Sequence, residues 1–257
     1  MRQTVRVRNS RVVIGLVALT LIALATAVAF QARRSRGNEY HKQGQTYLQR
    51  GEYQKAVDVY TQAIAAGANL PVAYANRGYA YDSLGNYAQA IADYTKALEL
   101  DAKSAMVYNN RGFAYYGMED YAKAIEDYSK AIELDPGYAT AYSNRGTAYN
   151  EQGSFTQAIQ DFDRAIELDA TLVDAYGNRG RAHDNLGELD AAIQDYSKAI
   201  ELDPAQVTAY YNRAFLYLKS GQKEQAIADF QAVVKYSTAD DELTFIAKTE
   251  LEALGVK

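Results

Sequence analysis

Hydrophobic and polar positions fall into two regimes along this chain. From Val12 to Phe30 there are 19 consecutive residues without a charge, eleven of them Leu, Ile, Val or Phe. As a helix that run spans roughly 28 Å, close to the thickness of a bilayer core. No polar face interrupts it, which argues against a helix lying along a membrane surface. From Gly37 onward the apolar positions recur at spacings of three and four residues, interrupted regularly by turn residues. That is the pattern of a series of short amphipathic helices.

The second regime repeats itself. Its period is 34 residues, held without insertion through six units: 37–70, 71–104, 105–138, 139–172, 173–206 and 207–240. The fourth place of each unit is Tyr (Tyr40, Tyr74, Tyr108, Tyr142, Tyr176, Tyr210). The eighth is Gly44, Gly78, Gly112, Gly146, Gly180 and Ala214, and the eleventh is Tyr47, Tyr81, Tyr115, Tyr149, His183 and Tyr217. The twentieth is always Ala (Ala56, Ala90, Ala124, Ala158, Ala192, Ala226). The twenty-fourth is aromatic throughout: Tyr60, Tyr94, Tyr128, Phe162, Tyr196 and Phe230. Places four, eight and eleven share one helical face, and places twenty, twenty-four and twenty-seven share another, so each unit predicts two helices. A turn separates them at Gly51, Gly85, Gly153, Gly187 and Gly221, with Glu119 in the third unit.

A glycine inside a helix costs about 1 kcal/mol relative to alanine. Paying that at the eighth place of five units predicts a close crossing where a Cβ would collide, with the alanine of the twentieth place as the small surface opposite and the large aromatics beside it.

The unit resembles the tetratricopeptide repeat in its period, its two helices and the register of its small and aromatic places. The resemblance covers 204 of the 257 residues; one departure from the family is Tyr at the fourth place where Trp is frequent, and the chain has no Trp. It implies an all-α, right-handed solenoid whose first helices line a concave groove, and a scaffold or adaptor that docks a partner protein or peptide there. Residues 241–257 carry Leu243, Ile246, Leu251 and Leu254 on one face and are expected to form a capping helix.

Charge separates the two regimes again. Residues 1–36 hold seven Arg and no acid, whereas the remainder has 20 basic and 32 acidic residues, a net of −12. An acidic body excludes a nucleic-acid partner. The basic, apolar start reads as an uncleaved anchor helix through residues 12–30, the Arg pair Arg33-Arg34 following it. The alternative is a signal peptide cleaved near Ala27 or Ala29. Moving the short positive tail across a membrane is unfavourable, so the repeats are expected on the extracytoplasmic side of a single-pass protein, the side a cleaved, exported form would also reach.

Two charged places recur together. The seventh is Arg77, Arg111, Arg145, Arg179 and Arg213, and the twenty-third is Asp93, Asp127, Asp161, Asp195 and Asp229; the first unit lacks both. Their joint absence predicts an Arg–Asp pair joining the two helices of each unit, since a partly buried Arg without its acid is costly. The open alternative is an Arg row facing a ligand.

For the groove, the family geometry selects Asn76, Asn110, Asn144, Asn178 and Asn212 of the sixth place, each with a donor and an acceptor suited to a peptide backbone. It also selects Tyr79, Phe113, Tyr116, Tyr211 and Phe215 as an aromatic docking patch, with packing inside the solenoid as the competing role. The clamp that some family members use for chaperone C-termini is not carried over, because only the sixth-place Asn matches. Self-association as a structural protein is the alternative function, and a homo-oligomer is compatible with the reading. No Cys is present, and of two His, His183 is expected in the core and His41 at the surface. No metal site, cofactor or catalytic residue is expected, and the chain is read as a non-enzyme.

Overall fold

A computed structural model describes residues 2–67, 69–238 and 241–256, with side chains from residue 19 onward. Among the described residues there are thirteen helices and no strand: α1 (Arg2–Gln49), α2 (Tyr53–Ala66), α3 (Leu70–Ser83), α4 (Tyr87–Leu100), α5 (Ala105–Gly117), α6 (Tyr121–Leu134), α7 (Ala139–Glu151), α8 (Phe155–Leu168), α9 (Val173–Asn185), α10 (Leu189–Leu202), α11 (Val207–Lys219), α12 (Lys223–Tyr236) and α13 (Glu242–Ala253). They form two compact bodies, Met1–Lys103 and Ser104–Lys257. In each, every helix packs on the next in the chain, and alternate helices also touch: α1 on α3, α5 on α7 and α7 on α9.

The turn inside each hairpin needs a left-handed residue. Gly51, Gly85, Gly153, Gly187 and Gly221 supply it at φ between 71° and 78°, and Glu119 takes the same conformation at φ 61°. After the second helix an Asp ends the hairpin by accepting a backbone N–H two residues on. Asp101 does so from Lys103 at 3.1 Å, Asp135 from Gly137 at 3.0 Å, Asp169 from Thr171 at 2.9 Å and Asp203 from Ala205 at 3.0 Å. These side chains therefore turn the chain out of one helix instead of capping the next.

The core is built from the predicted small and aromatic places. Each twentieth-place alanine is inaccessible to solvent, and each twenty-fourth-place ring is buried. A Cβ on Gly78 would lie 2.9 Å from the Tyr94 ring and 3.3 Å from the Ala90 carbonyl; on Gly112 it would lie 2.8 Å from Tyr128 and 3.2 Å from the Ala124 carbonyl. The close crossing exists, but its tightest contact is with the aromatic ring, the alanine backbone standing just behind.

At the C-terminal end α13 buries Thr244, Ala247 and Leu251, while Leu243 and Leu254 pack beside Phe230 and Val233. At the other end α1 runs unbroken through Gly37, so the apolar start and the first helix of the first repeat are one rod. Leu19, Leu21, Ile22, Leu24, Val28 and Phe30 are each at least 60% exposed along it. Among the described residues no helix is long and apolar enough to cross a membrane. The uncharged stretch with described side chains, Leu19 to Ala32, covers only about 21 Å before Arg33, and residues 12–18 of the expected span lie outside the described side chains.

Candidate functional site

The recurring charges resolve into a clamp inside each body. Arg77 Nε and Nη2 donate to Asp93 at 2.7 and 2.8 Å. Arg111 does the same to Asp127 at 2.7 and 2.7 Å, Arg145 to Asp161 at 2.7 and 2.7 Å, Arg179 to Asp195 at 2.8 and 2.6 Å, and Arg213 to Asp229 at 2.8 and 2.8 Å. All five Asp are buried. The hydrogen bonds to Asp hold Arg77, Arg111 and Arg145 above the ordinary guanidinium range against the opposing effect of burial. For Arg179 and Arg213 burial is the largest influence and lowers the value, yet the Asp hydrogen bonds and charges outweigh it. The Arg row is thus internal, and the ligand-facing alternative is excluded.

A third partner completes the clamp. The Nη1 of Arg77 reaches Thr61 at 3.0 Å, that of Arg145 reaches Ser129 at 2.9 Å, that of Arg179 reaches Asp163 at 2.6 Å and that of Arg213 reaches Ser197 at 2.8 Å. These residues belong to the second helix of the preceding hairpin, so each of these four guanidiniums ties two hairpins together. The signal was in the sequence: the twenty-fifth place is Thr61, Thr95, Ser129, Asp163, Ser197 and Gln231, an oxygen-bearing residue every time. Tyrosines of the fourth and eleventh places flank the guanidinium, as Tyr142 at 5.8 Å and Tyr149 at 6.0 Å do for Arg145. In the fifth repeat His183 replaces one tyrosine, mostly buried as expected; its Nδ1 is 2.5 Å from Glu188 and its Nε2 3.8 Å from Asp195. His41 is half-buried instead of exposed; it sits edge-on to the buried Tyr60 ring at 5.7 Å, and burial lowers its pKa.

The sixth-place asparagines are not idle in the groove. In the N-terminal body Asn76 donates to the Tyr60 hydroxyl at 3.0 Å. In the C-terminal body Asn144 donates to Asn109 at 3.0 Å, Asn178 to Thr147 at 3.4 Å, and Asn212 hydrogen-bonds the Tyr196 hydroxyl; Asn110 accepts from Asn109 at 3.3 Å. Except for Asn110, these amides stitch a first helix to the hairpin before it, which leaves each one N–H and a carbonyl lone pair for a further partner. Asn150, which sequence reasoning missed, is 93% buried and donates to the Asn178 carbonyl at 2.9 Å; its neighbours in register are Leu48, Asp82, Tyr116, Asp184 and Leu218, so no pattern marked it.

The aromatic candidates divide. Phe113 and Met106 of α5 are 47% and 55% exposed, and Tyr79 of α3 is 43% exposed, edge-on to Tyr53 at 6.4 Å. Tyr116 packs on the cluster around Ala124 and Tyr128 and against Tyr121 at 5.4 Å. Tyr211 and Phe215 lie in contact at 5.0 Å, and Phe215 stands edge-on to the buried Phe230 at 5.2 Å. Those two are partly buried against the core of the C-terminal body.

What the C-terminal body does open is a polar hollow on either side of α9. One, of about 480 Å³, is walled by Thr140, Ser143, Asn144 and Thr147 of α7 and by Asp174 and Asn178 of α9. The other, of about 250 Å³, is walled by Asp174, Gly177, Asn178 and Arg181 of α9, Thr208 and Asn212 of α11, and Tyr196 beneath. Hydroxyls and amides line both, Leu172, Val173 and Ala175 add apolar surface to the first, and the Arg181 charge is met by Glu151 at 2.7 Å. No metal-binding trio of His, Asp or Glu occurs among the described residues. The chemistry on offer is hydrogen bonding.

Comparison with known proteins agrees with this architecture. Tetratricopeptide-repeat profiles match residues 71–104, 105–138 and 139–172 with one form of the repeat, and 40–71, 185–221 and 207–240 with three others. A crystal structure of MamA is 30% identical, covering 62% of this chain and 93% of that one, with a TM-score of 0.58. The crystal structure of YrrB, described as a TPR protein with an unusual peptide-binding site, is 27% identical, covering 74% of this chain and 97% of that one, also with a TM-score of 0.58. The pilF protein of Pseudomonas aeruginosa shares the fold at 19% identity and a TM-score of 0.72, covering 86% of this chain and 99% of that one. No curated protein matches the chain.

Proposed function

From the premise that this chain belongs to the tetratricopeptide-repeat family, we propose that it is a docking scaffold, holding a partner protein or peptide on the inner face of its first helices. The observation that carries the reading is the pair of adjoining hollows over α7, α9 and α11, walled by side chains that donate and accept hydrogen bonds. The peptide-binding site of YrrB supports it, as a property of a 27% identical relative of the same fold. A surface held rigid by clamps and asparagine stitches binds with little ordering cost of its own. The exposed Phe113 and Met106 on α5 extend the docking surface of the C-terminal body, and Tyr79 is an exposed ring of the N-terminal body. Asn76, Asn110, Asn144, Asn178 and Asn212 contribute the hydrogen bonds left over from stitching. The scaffold turns over no substrate and needs no cofactor.

The test is a photo-crosslinker placed by side-chain replacement at Ser143, in the hollow, or at Gln157, exposed on the outer face of α8. Capture of a discrete partner from position 143 alone is the expected result. Equal capture from both positions overturns the reading.

The apolar face of α1 supports a membrane tether. Six large apolar side chains between Leu19 and Phe30 stand in solvent, more than a soluble helix tolerates without a cover. A lipid bilayer covers them, Arg33, Arg34 and Arg36 marking its edge and the repeats lying on the extracytoplasmic side. Flotation of the full chain with phosphatidylcholine–phosphatidylglycerol vesicles after a carbonate wash tests this; chain left at the bottom of the gradient refutes it.

A further inference from the structure

A helix that ends a solenoid buries one face and turns a polar one to solvent. On its inner face α13 buries Thr244, Ala247 and Leu251. Its outer face departs from the rule. Phe245 is 73% exposed there, the most exposed large apolar side chain among those described. Where α13 packs on α12 there is also a hollow of about 260 Å³, walled by Val234, Leu251 and Val256 together with Gln231, Lys248 and Glu252. An apolar cavity of about 150 Å³ already takes a benzene ring, so this one has room for a phenyl side chain. The chain's own Phe245 points into solvent and does not fill it.

Phe245, Lys248 and Glu252 stand three and four residues apart, on one face of α13, and Val256 follows one turn further on. Lys248 and Glu252 are exposed, and among the described residues neither side chain has an ionic partner. Along the chain this face reads apolar, positive, negative, apolar. Turned end for end, it reads apolar, negative, positive, apolar. The face is therefore the complement of its own reversed copy, which is what a two-fold interface requires. A single ring between a Lys and a Glu has neither the apolar area nor the basic charge that an anionic lipid surface selects.

We propose that the outer face of α13 binds α13 of a second copy of this chain, antiparallel, about a two-fold axis crossing the helix midway between Lys248 and Glu252. Phe245 of each copy covers Val256 and enters the hollow of the other, and Lys248 of each meets Glu252 of the other. Ring and hollow lie on one face, so the contact is isologous and closes at two copies instead of growing into a filament. The patch is a 12-residue helix and the hollow beside it. That is less than a standard interface, so the dimer is expected to dissociate in the micromolar range. It shares no wall with the hollows over α7, α9 and α11. The pairing is therefore independent of what docks there, and it gives one dimer two docking surfaces.

Sedimentation equilibrium of the full chain in a mild detergent measures the dissociation constant, with melts in parallel to show that each variant is folded. Wild type is expected to pass reversibly between monomer and dimer. Phe245→Ser is expected to weaken the dimer about tenfold or more. Lys248→Glu sets glutamate against glutamate across the axis, Glu252→Lys sets lysine against lysine, and each is expected to weaken it by a similar factor. An equal mixture of these two single variants sets glutamate against lysine at every pair, and is expected to form mixed dimers about as tight as wild type. A wild-type chain that stays monomeric overturns the proposal, and so does a Phe245→Ser chain that dimerises as tightly as wild type. Species larger than a dimer overturn closure about the two-fold axis. Single reversals that associate like wild type, or a mixture no tighter than its components, overturn the antiparallel register.

Discussion

Replacing Arg145 by Met removes one half of a buried ion pair and leaves the other half in place. Arg145 meets Asp161 through two hydrogen bonds of 2.7 Å, and their side chains are 20% and 8% exposed. Two unit charges at that separation attract by about 6 kcal/mol at an effective dielectric of 20. Taking each ion out of water costs several kcal/mol, so the intact pair is worth little more than two apolar side chains of the same volume. The asymmetry appears when one partner is removed. Arg145→Met leaves the Asp161 carboxylate buried without its counter-ion and the Ser129 hydroxyl without its 2.9 Å partner, a loss of about 3 kcal/mol. Asp161→Leu strands a guanidinium that is somewhat more exposed and costs about 2 kcal/mol. The double variant should return to within about 1 kcal/mol of wild type, giving a coupling energy of about 4 to 6 kcal/mol. Calorimetric melts of the four proteins at neutral pH measure it, each kcal/mol shifting Tm by about 2–4 °C in a chain of this size. A coupling energy below about 0.5 kcal/mol, the value of a solvated surface pair, refutes the reasoning that these charges are desolvated and mutually dependent.

Four further substitutions probe other levels of the fold. Asp82 has its Oδ1 buried without a partner, and burial pushes its carboxyl from 3.8 up to about 6. The native state therefore holds the proton more tightly than the unfolded chain, and stability falls as pH rises from about 4 through 6. Asp82→Asn should gain about 1–2 kcal/mol at pH 7, after discounting for its partial exposure, and nothing at pH 4; equal Tm changes at both pH values contradict this. Glu119→Gly should stabilise the third hairpin by about 1 kcal/mol, because Glu119 holds φ 61° where the other hairpins have glycine; an unchanged or lower melting temperature contradicts it. Phe113→Ser should leave the melt within about 0.5 kcal/mol of wild type, whereas Phe215→Ser, whose ring packs on Phe230, should cost about 2–4 kcal/mol. Equal losses would mean that the two rings are buried alike.

How far the chain could be read without coordinates follows from which partners a residue needs. The hairpins and the Arg–Asp clamp were legible because each depends on one repeat alone. The glycine of the eighth place meets its own repeat's ring, and the first repeat lacks Arg and Asp together, with Gln43 and Val59 in their places. Roles that depend on the neighbouring repeat were harder to see. Asn144 and Asn178 look like free groove amides until the preceding helix is placed against them, and Ser129 and Thr61 look like surface hydroxyls until an arginine from the next hairpin arrives. Tyr211 and Phe215 sit in groove register yet pack, partly buried, against the core that the last hairpin forms with α13.

The account rests on the inner face of the first helices being where a partner sits. Hydrogen–deuterium exchange of the full chain, alone and saturated with the partner captured through position 143, tests this most directly. The account predicts slower exchange in α7, α9 and α11, centred on residues 174–181, with α8, α10 and α12 unchanged. Protection confined to the second helices, or to α1, would contradict it.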